Sequence, residues 1–430
     1  MPMRFGTETR GNPVMVVGGG VAGIVAALDL ANAGRIVHLV EKEPNLGGQV
    51  AKLDKLYPTD HCAFCPLWTE IKKCTQHPKI TVHTRARVME LTGYEKYKNV
   101  SIVKGPHFVD KEKCISCGRC AKVCPVEKEL CHLEEYASLS HAVEMAWDHA
   151  YPPSYMINKD TCTRCGMCQE ICPSNAIDLD RAEEEIVITV DDVIWATGFQ
   201  EVDLFRLQEF GSGTHPDIMH SMEFETWISE AGPNRGNIRK KSDLSSPRAI
   251  AFIQCAGARD MRMFPYCSAV CCMHALKQAK WVNKRAPEIE CAIFFADLRT
   301  VGKNYYEYAV KATKDYHLNL IRGRPGLILS LPQGGGLAIK YEDTMTQEVK
   351  ICKFDMVILN GALRPGLLQM DLGQKGMPAL DSHGFLANEK DGNSDLSCGF
   401  SSGPADVIES SIQASSAALK ALCKKFKLER

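Results

Sequence analysis

Short apolar runs ending at glycine-rich turns divide this chain. Val14-Met15-Val16-Val17 is unbroken and apolar, the pattern of a buried parallel strand. It leads into Gly18-Gly19-Gly20-Val21-Ala22-Gly23, a helical stretch predicted from Val21 to Ala33, and a second strand from Arg35 to Val40 that ends at Glu41. Further strands are predicted over Glu185 to Val190 and Val193 to Trp195, the latter closed by Ala196-Thr197-Gly198. A second αβ unit is predicted from Arg248, with strands near 249–254, 291–296 and 318–321 and a closing strand at 355–360. Tyr57 to His77 reads as an insertion, and polar Gly232 to Pro247 as a linker. Gly399 to Asp406 reads as a loop before an alanine-rich helix, Val407 to Leu422.

Composition changes this picture in one respect. The 430 residues allow two or three domains. With 51 basic and 52 acidic residues, no charge excess points to nucleic acid or an anionic membrane. No apolar run reaches the roughly 18–20 residues of a membrane span, and Met1 to Asn12 is polar, unlike a signal peptide. A cytoplasmic protein is expected, with any membrane association made through partner subunits. The informative number is 20 cysteines, clustered beside a nucleotide-type fold, where clustering suits metal better than disulfides.

The first turn has the chemistry of a dinucleotide site. Gly18 permits the tight turn, Gly20 lets backbone approach a pyrophosphate, and Gly23 lets helix and strand pack closely. The helix N-terminus offers free N–H groups to phosphate. Glu41, followed by Lys42, is placed for the ribose hydroxyls. Leu46-Gly47-Gly48-Gln49 and Ala196-Thr197-Gly198 favour FAD, since both resemble flavoproteins of the two-dinucleotide, disulfide-reductase-like kind. Gly399 and Asp406 are expected to complete the FAD site.

Two cysteine runs carry the most specific signal. Cys114-x2-Cys117-x2-Cys120-x3-Cys124-Pro125 and Cys162-x2-Cys165-x2-Cys168-x3-Cys172-Pro173 are two bacterial ferredoxin motifs. In such proteins the fourth cysteine of one run completes the cluster of the other. One [4Fe–4S] cluster is therefore expected on Cys114, Cys117, Cys120 and Cys172, the other on Cys162, Cys165, Cys168 and Cys124. Zinc rarely takes this spacing. Cys131, between the runs, reads as a bystander, and His107, His132, His141 and His149 lack metal-ligand spacing.

The second αβ unit has no second glycine fingerprint. Its first strand runs into Gln254-Cys255-Ala256-Gly257-Ala258-Arg259-Asp260, followed by Cys267, Cys271 and Cys272 before a helix from His274 to Val282. Cys255, Cys267, Cys271 and Cys272 are expected to hold a third [4Fe–4S] cluster in place of NAD(P), with inert buried cysteines as the alternative. Cys62-Ala63-Phe64-Cys65 reads equally as structural or as functional, the latter a redox dithiol or part of a shared cluster. Arg299, Lys303, Arg322 and Arg324 read as solvated charges more readily than as tuners of a flavin.

These motifs resemble the A-type subunit of heterodisulfide reductase and its relatives, including the A-type subunit of the quinone-interacting membrane-bound oxidoreductase complex. The resemblance spans nearly the whole chain, through Gly18 to Gly23, Cys62 to Pro66, both ferredoxin runs, Gln254 to Asp260, Cys271-Cys272 and Gly302-Lys303. It departs at Cys398-Gly399-Phe400, where the family tends to read Ala-Gly-Cys. It implies an α/β, thioredoxin-reductase-like fold with two dinucleotide domains and an inserted two-cluster ferredoxin domain. The expected pieces are FAD-binding 1–110, 181–247 and 366–430, ferredoxin 111–180, and a second Rossmann-like domain 248–365. It strengthens the third cluster and implies an oxidoreductase subunit without a catalytic side chain of its own, working within a multi-subunit complex. Electrons would pass between clusters and FAD, with flavin-based bifurcation or confurcation. The alternative is non-bifurcating wiring to a quinone-interacting or acyl-CoA-reducing complex. Implied partners are B/C-like iron–sulfur subunits of either complex and a hydrogenase or formate dehydrogenase linker, with homodimerisation as one arrangement.

Overall fold

A computed structural model describes residues 12–94, 97–126, 142–145, 153–332, 335–369, 378–387 and 396–428. Cys131, His132, His141 and His149 lie outside them. The first stretch runs β1 (Val14–Val17), α1 (Val21–Asn32), β2 (Val37–Val40), α2 (Phe64–Gln76), β3 (Ile80–His83), β4 (Ala86–Tyr94) and β5 (Tyr97–Lys104). The cysteine-rich stretch holds α3 (Arg119–Val123), β6 (Val143–Glu144), β7 (Met156–Ile157) and α4 (Met167–Glu170). Then come β8 (Glu184–Val190), β9 (Asp192–Trp195), β10 (Phe199–Glu201), β11 (Ile218–His220), α5 (Ser221–Ile228), β12 (Ala249–Ala256) and α6 (Cys271–Arg285). The chain continues through β13 (Glu290–Phe295), α7 (Tyr305–Asp315), β14 (Asn319–Arg322), β15 (Pro325–Ser330), β16 (Leu337–Asp343) and β17 (Glu348–Phe354). It closes with β18 (Met356–Gly361), β19 (Leu363–Pro365), β20 (Leu396–Ser397) and α8 (Val407–Leu428).

Two parallel five-stranded sheets dominate. The first has the order β20-β9-β1-β2-β3, the second β11-β18-β12-β13-β14. Each is covered by helices on one face and by a three-stranded antiparallel sheet on the other. In β1, Val14 and Val16 meet α1, α2 and α8, while Met15 and Val17 meet β4, β5 and β8. Burial on both faces is why the strand reads as four unbroken apolar residues. The second sheet repeats this with α5–α7 on one side and β15–β17 on the other. Alanines 26, 27, 31, 414, 417, 418 and 421 bring α1 and α8 close together.

Three expectations change. Tyr57 to His77 is no insertion: Leu67, Ile71 and Cys74 recur at helical spacing, and α2 buries that face in the first core as the connection between β2 and β3. β11 and α5, expected in the flavin domain, belong to the second sheet, where β11 pairs with β18. The polar stretch after α5 is pinned to that unit, because buried Asp217 accepts hydrogen bonds from the backbone of Lys241 and Ser242.

Candidate functional site

The turn after β1, the turn after β9 and the loop after β20 emerge side by side at the carboxyl edge of the first sheet. This is where open α/β sheets bind ligands. A Cβ on Gly18 (φ +110°) would lie 2.2 Å from Ala196 O, and one on Gly23 would lie 1.8 Å from Gly18 O. Both must be glycine for the turn and α1 to pack. At Gly20 a Cβ would meet only Gly48 Cα, at 3.8 Å, leaving room for a phosphate at the helix N-terminus. Gly47 N donates to Gly19 O at 2.8 Å, tying the second glycine pair against the first.

Glu41 sits buried beneath this cradle. Its Oε2 accepts from Gly19 N at 2.5 Å and its Oε1 from Glu43 N at 2.8 Å. Burial outweighs these donors and pushes its carboxyl up to about 7. Lys42 beside it is exposed, 3.9 Å from Glu43. Gln49 Nε2 donates to Phe199 O (3.3 Å) and Thr197 N to Ser401 Oγ (2.8 Å), which join the three turns. Gly198 (φ +66°) has open space where a side chain would be, and Gly399 (φ +65°) packs on Ala22. Asp406 caps α8, accepting from Glu409 N at 2.8 Å, and also accepts the Tyr305 hydroxyl.

In the cysteine-rich module, left-handed glycines 118 (φ +73°) and 166 (φ +81°) start α3 and α4, aiming the following cysteines inward. A small cavity is lined by Cys124, Cys162, Cys165 and Cys168, bringing one residue of the first run to three of the second. Burial, then the negative potential of Cys162 and Cys165, raises the Cys168 thiol. Cys120 is likewise pushed up to about 11 by burial, with Cys114 and Cys117 adding to it. Cys172 packs in the same small core, its Sγ accepting from Ala176 N at 3.3 Å.

The third group forms at the carboxyl edge of the second sheet. Cys255 ends β12 in a left-handed conformation (φ +58°), Cys267 lies on the following loop, and Cys271 and Cys272 open α6. Burial, then Cys272, Cys255 and Cys267 in turn, holds the Cys271 thiol far above its ordinary value. The four lie within electrostatic reach of one another, with Cys271 Sγ against Gly361 O and Cys272 Sγ against Asp297 O. Arg259 lies beside Cys255 and Cys267 and pairs with Asp297 at 2.8 Å, and Arg324 donates to Cys255 O at 3.1 Å. Gln254 and Asn360, on neighbouring strand ends, are buried with no side-chain partner. Amide donors beside converging thiols suit a group carrying sulfur acceptors. Among the described residues, no three His, Cys, Asp or Glu side chains come close enough to share one metal ion.

Sequence reading missed Tyr57. It is half-buried against the second core, with its ring 5.4 Å from that of Tyr305 and its hydroxyl within electrostatic reach of Asp406 and Cys271. It also missed Arg259, whose spacing carries no signal. Arg299 and Lys303 are exposed, although the Arg299 backbone donates to Cys272.

Comparison with known proteins agrees with this geometry. Residues 13–90 match the FAD dependent oxidoreductase family, and residues 107–127 and 155–178 match the 4Fe-4S binding domain. The thioredoxin reductases of T. acidophilum and Lactococcus lactis superpose with a TM-score of 0.53 each, at 13% and 14% identity. They cover 97% of this chain, and it covers 99% and 100% of theirs. The fold is thus thioredoxin-reductase-like, and the chain carries an FAD dependent oxidoreductase match together with two 4Fe-4S binding matches. In sequence, the chain is 42% identical over 352 residues to the second A-type iron–sulfur subunit of CoB–CoM heterodisulfide reductase from Methanopyrus kandleri, covering 82% of this chain and 54% of that protein. It is 35% identical over 429 residues to the A-type subunit of H2:CoB–CoM heterodisulfide,ferredoxin reductase from Methanothermobacter marburgensis, covering 98% of this chain and 65% of that one. The chain is thus similar to the A-type iron–sulfur subunits of heterodisulfide reductase over most of its own length, and it spans between half and two thirds of the length of these relatives. Among the described residues no helix is long and apolar enough to cross a membrane.

Proposed function

We propose that this chain is the electron-transferring subunit of a heterodisulfide-reductase-like complex, holding FAD and three [4Fe–4S] clusters. The observation that carries this is that cysteines 255, 267, 271 and 272 stand at the carboxyl edge of the second sheet, where a second nucleotide cradle would otherwise lie. FAD would supply two-electron chemistry and the clusters one-electron steps, which makes the protein a converter between them.

The chain's own residues do the rest. Gly18, Gly20, Gly23, Gly47 and Gly48 shape the phosphate cradle, and Glu41 accepts ribose hydroxyls. Gln49, Ala196, Thr197, Gly198 and Gly399 border the ring side, with Lys42 and Asp406 at its ends. Cys114, Cys117, Cys120 and Cys172 hold one cluster, and Cys162, Cys165, Cys168 and Cys124 the other. Arg259 and Arg324 place positive charge at the third site, which favours the more reduced cluster. Iron–sulfur partner subunits would supply the terminal acceptor, and flavin-based bifurcation is the form of exchange this arrangement would serve.

The test is iron, sulfide and flavin content of anaerobically purified protein, beside Cys255→Ser. About twelve irons per FAD, falling to about eight in the variant with flavin retained, is expected for three cubanes. About eight in both would remove the third cluster and this reading with it.

A further inference from the structure

Cys62 and Cys65 belong to none of the sites above. Cys62 stands just before α2 and Cys65 in its first turn, the former half-buried and the latter exposed. The Cys65 N–H donates to Cys62 Sγ at 3.4 Å. Their support is fixed. Lys55 and Cys62 pair as an antiparallel bridge, Leu56 N donates to His61 O at 2.9 Å, and Ala63 N to Asp54 O at 3.0 Å. The base of this hairpin is clamped to the second unit, because Asp60 accepts from Lys280 and from the Tyr308 hydroxyl, and Asp54 from Arg285 at 3.0 Å. The two cysteines are thus held at the start of α2 on a fixed support, with the backbone N–H of one on the sulfur of the other.

Their chemistry is unequal. Half-burial raises the Cys62 thiol, but hydrogen bonds from Cys65 and from backbone N–H groups, with Lys55 nearby, outweigh it and leave Cys62 below its ordinary value. Cys65 is raised, chiefly by its hydrogen bond to Cys62. Cys74, further along α2, is buried and pushed up to about 12, so it takes no part. No third ligand-type side chain joins the pair to make a metal-ion site among the described residues.

We propose that Cys62 and Cys65 form a dithiol–disulfide couple that exchanges with an organic disulfide. The Cys62 thiolate attacks one sulfur of R–S–S–R, breaking that S–S bond and releasing RS⁻. The Cys65 sulfur then attacks Cys62 Sγ, releasing the second RS⁻ and closing the Cys62–Cys65 bond. The two cysteine protons end on the two released thiolates. One protein dithiol and one disulfide therefore become one protein disulfide and two thiols, with two electrons moved. This reading is independent of the cluster at Cys255.

Trypsin releases residues 56–72 as one peptide containing both cysteines and no other. The anaerobic holoprotein is equilibrated with 2-hydroxyethyl disulfide and its thiol at varied ratios, quenched with a maleimide and mapped by mass. The wild-type peptide is expected to lose two hydrogens in a single two-electron transition, and Cys65→Ser to keep a mixed disulfide on Cys62. Two independently labelled thiols at every ratio, in protein that keeps its flavin, would overturn the proposal. So would a fall in iron content in Cys62→Ser or Cys65→Ser, which would make the pair cluster ligands.

Discussion

Lys277 and Glu225 form an ion pair at the junction of the two units, each side chain only 2% exposed. Glu225 also accepts from Gln278 Nε2 at 3.0 Å and from Asp54 N at 3.0 Å, while Lys277 also donates to Lys55 O at 3.1 Å. The pair therefore anchors the loop that carries Tyr57. Glu225→Gln keeps the shape and an amide acceptor but leaves a buried ammonium without a counter-charge. Removing one member of a buried pair costs about 3–5 kcal/mol. The titration agrees. Burial alone would raise the Glu225 carboxyl, but Lys277 and then His274 hold it at about 2, against an ordinary 4.5. That difference corresponds to about 3 kcal/mol. A depressed carboxyl contributes stability above pH 4.5 that is lost as pH falls toward 2. Thermal unfolding at pH 7 should therefore drop by about 3–6 °C in Glu225→Gln, because the unfolding entropy of a 430-residue chain is about 0.9 kcal/mol/K. The Glu225→Gln/Lys277→Met double variant should recover most of that, because a buried apolar pair leaves no stranded charge. A shift worth less than about 1 kcal/mol, or a double variant no better than the single, would refute the reasoning.

Three further outcomes are expected. Gly23→Ala drives a Cβ into Gly18 O, so α1 must move by about 1 Å; the variant should purify with most of its flavin missing, as the flavin-to-protein absorbance ratio after desalting will show. The raised Glu41 carboxyl makes flavin-free protein lose stability as pH rises from about 4.5 through about 7. Glu41→Gln should flatten that dependence in melting curves of the flavin-free protein, and an unchanged slope would reject it. Tyr57→Ala removes a half-buried ring packed against Tyr305 and should cost about 1–2 kcal/mol in chemical unfolding, whereas a loss below about 0.5 kcal/mol would mean that the ring does not help hold the loop.

What the sequence made legible was local. Glycines 18, 20 and 23 and the two ferredoxin runs speak through spacing alone, because a positive φ or three converging thiolates are set within a few residues of chain. The cysteines from 255 to 272 were legible for the opposite reason, as departures from an expected glycine turn. α2 escaped although Leu67, Ile71 and Cys74 carried its period, because the whole stretch Tyr57 to His77 read as an insertion. Lys277 and Glu225 gave no signal. Each sits on a helix where a charge ordinarily faces water, and only the docking of α5 against α6 buries both. Arg259 and Arg324 reach the third site through tertiary placement that spacing does not encode.

The strand order of the first sheet has a consequence for assembly. β1 lies between partners made early and late: β2 follows within about twenty residues, whereas β9 begins at residue 192 and β20 at residue 396. Closing so long a loop carries an entropic toll that the central pairing must meet before it is rewarded. During synthesis the sheet therefore stands with an open flank while the ferredoxin runs and Cys255 to Cys272 emerge. The thiols are in place before the last strand and α8 close the cradle, so iron can be delivered to a chain whose flavin half is still ajar.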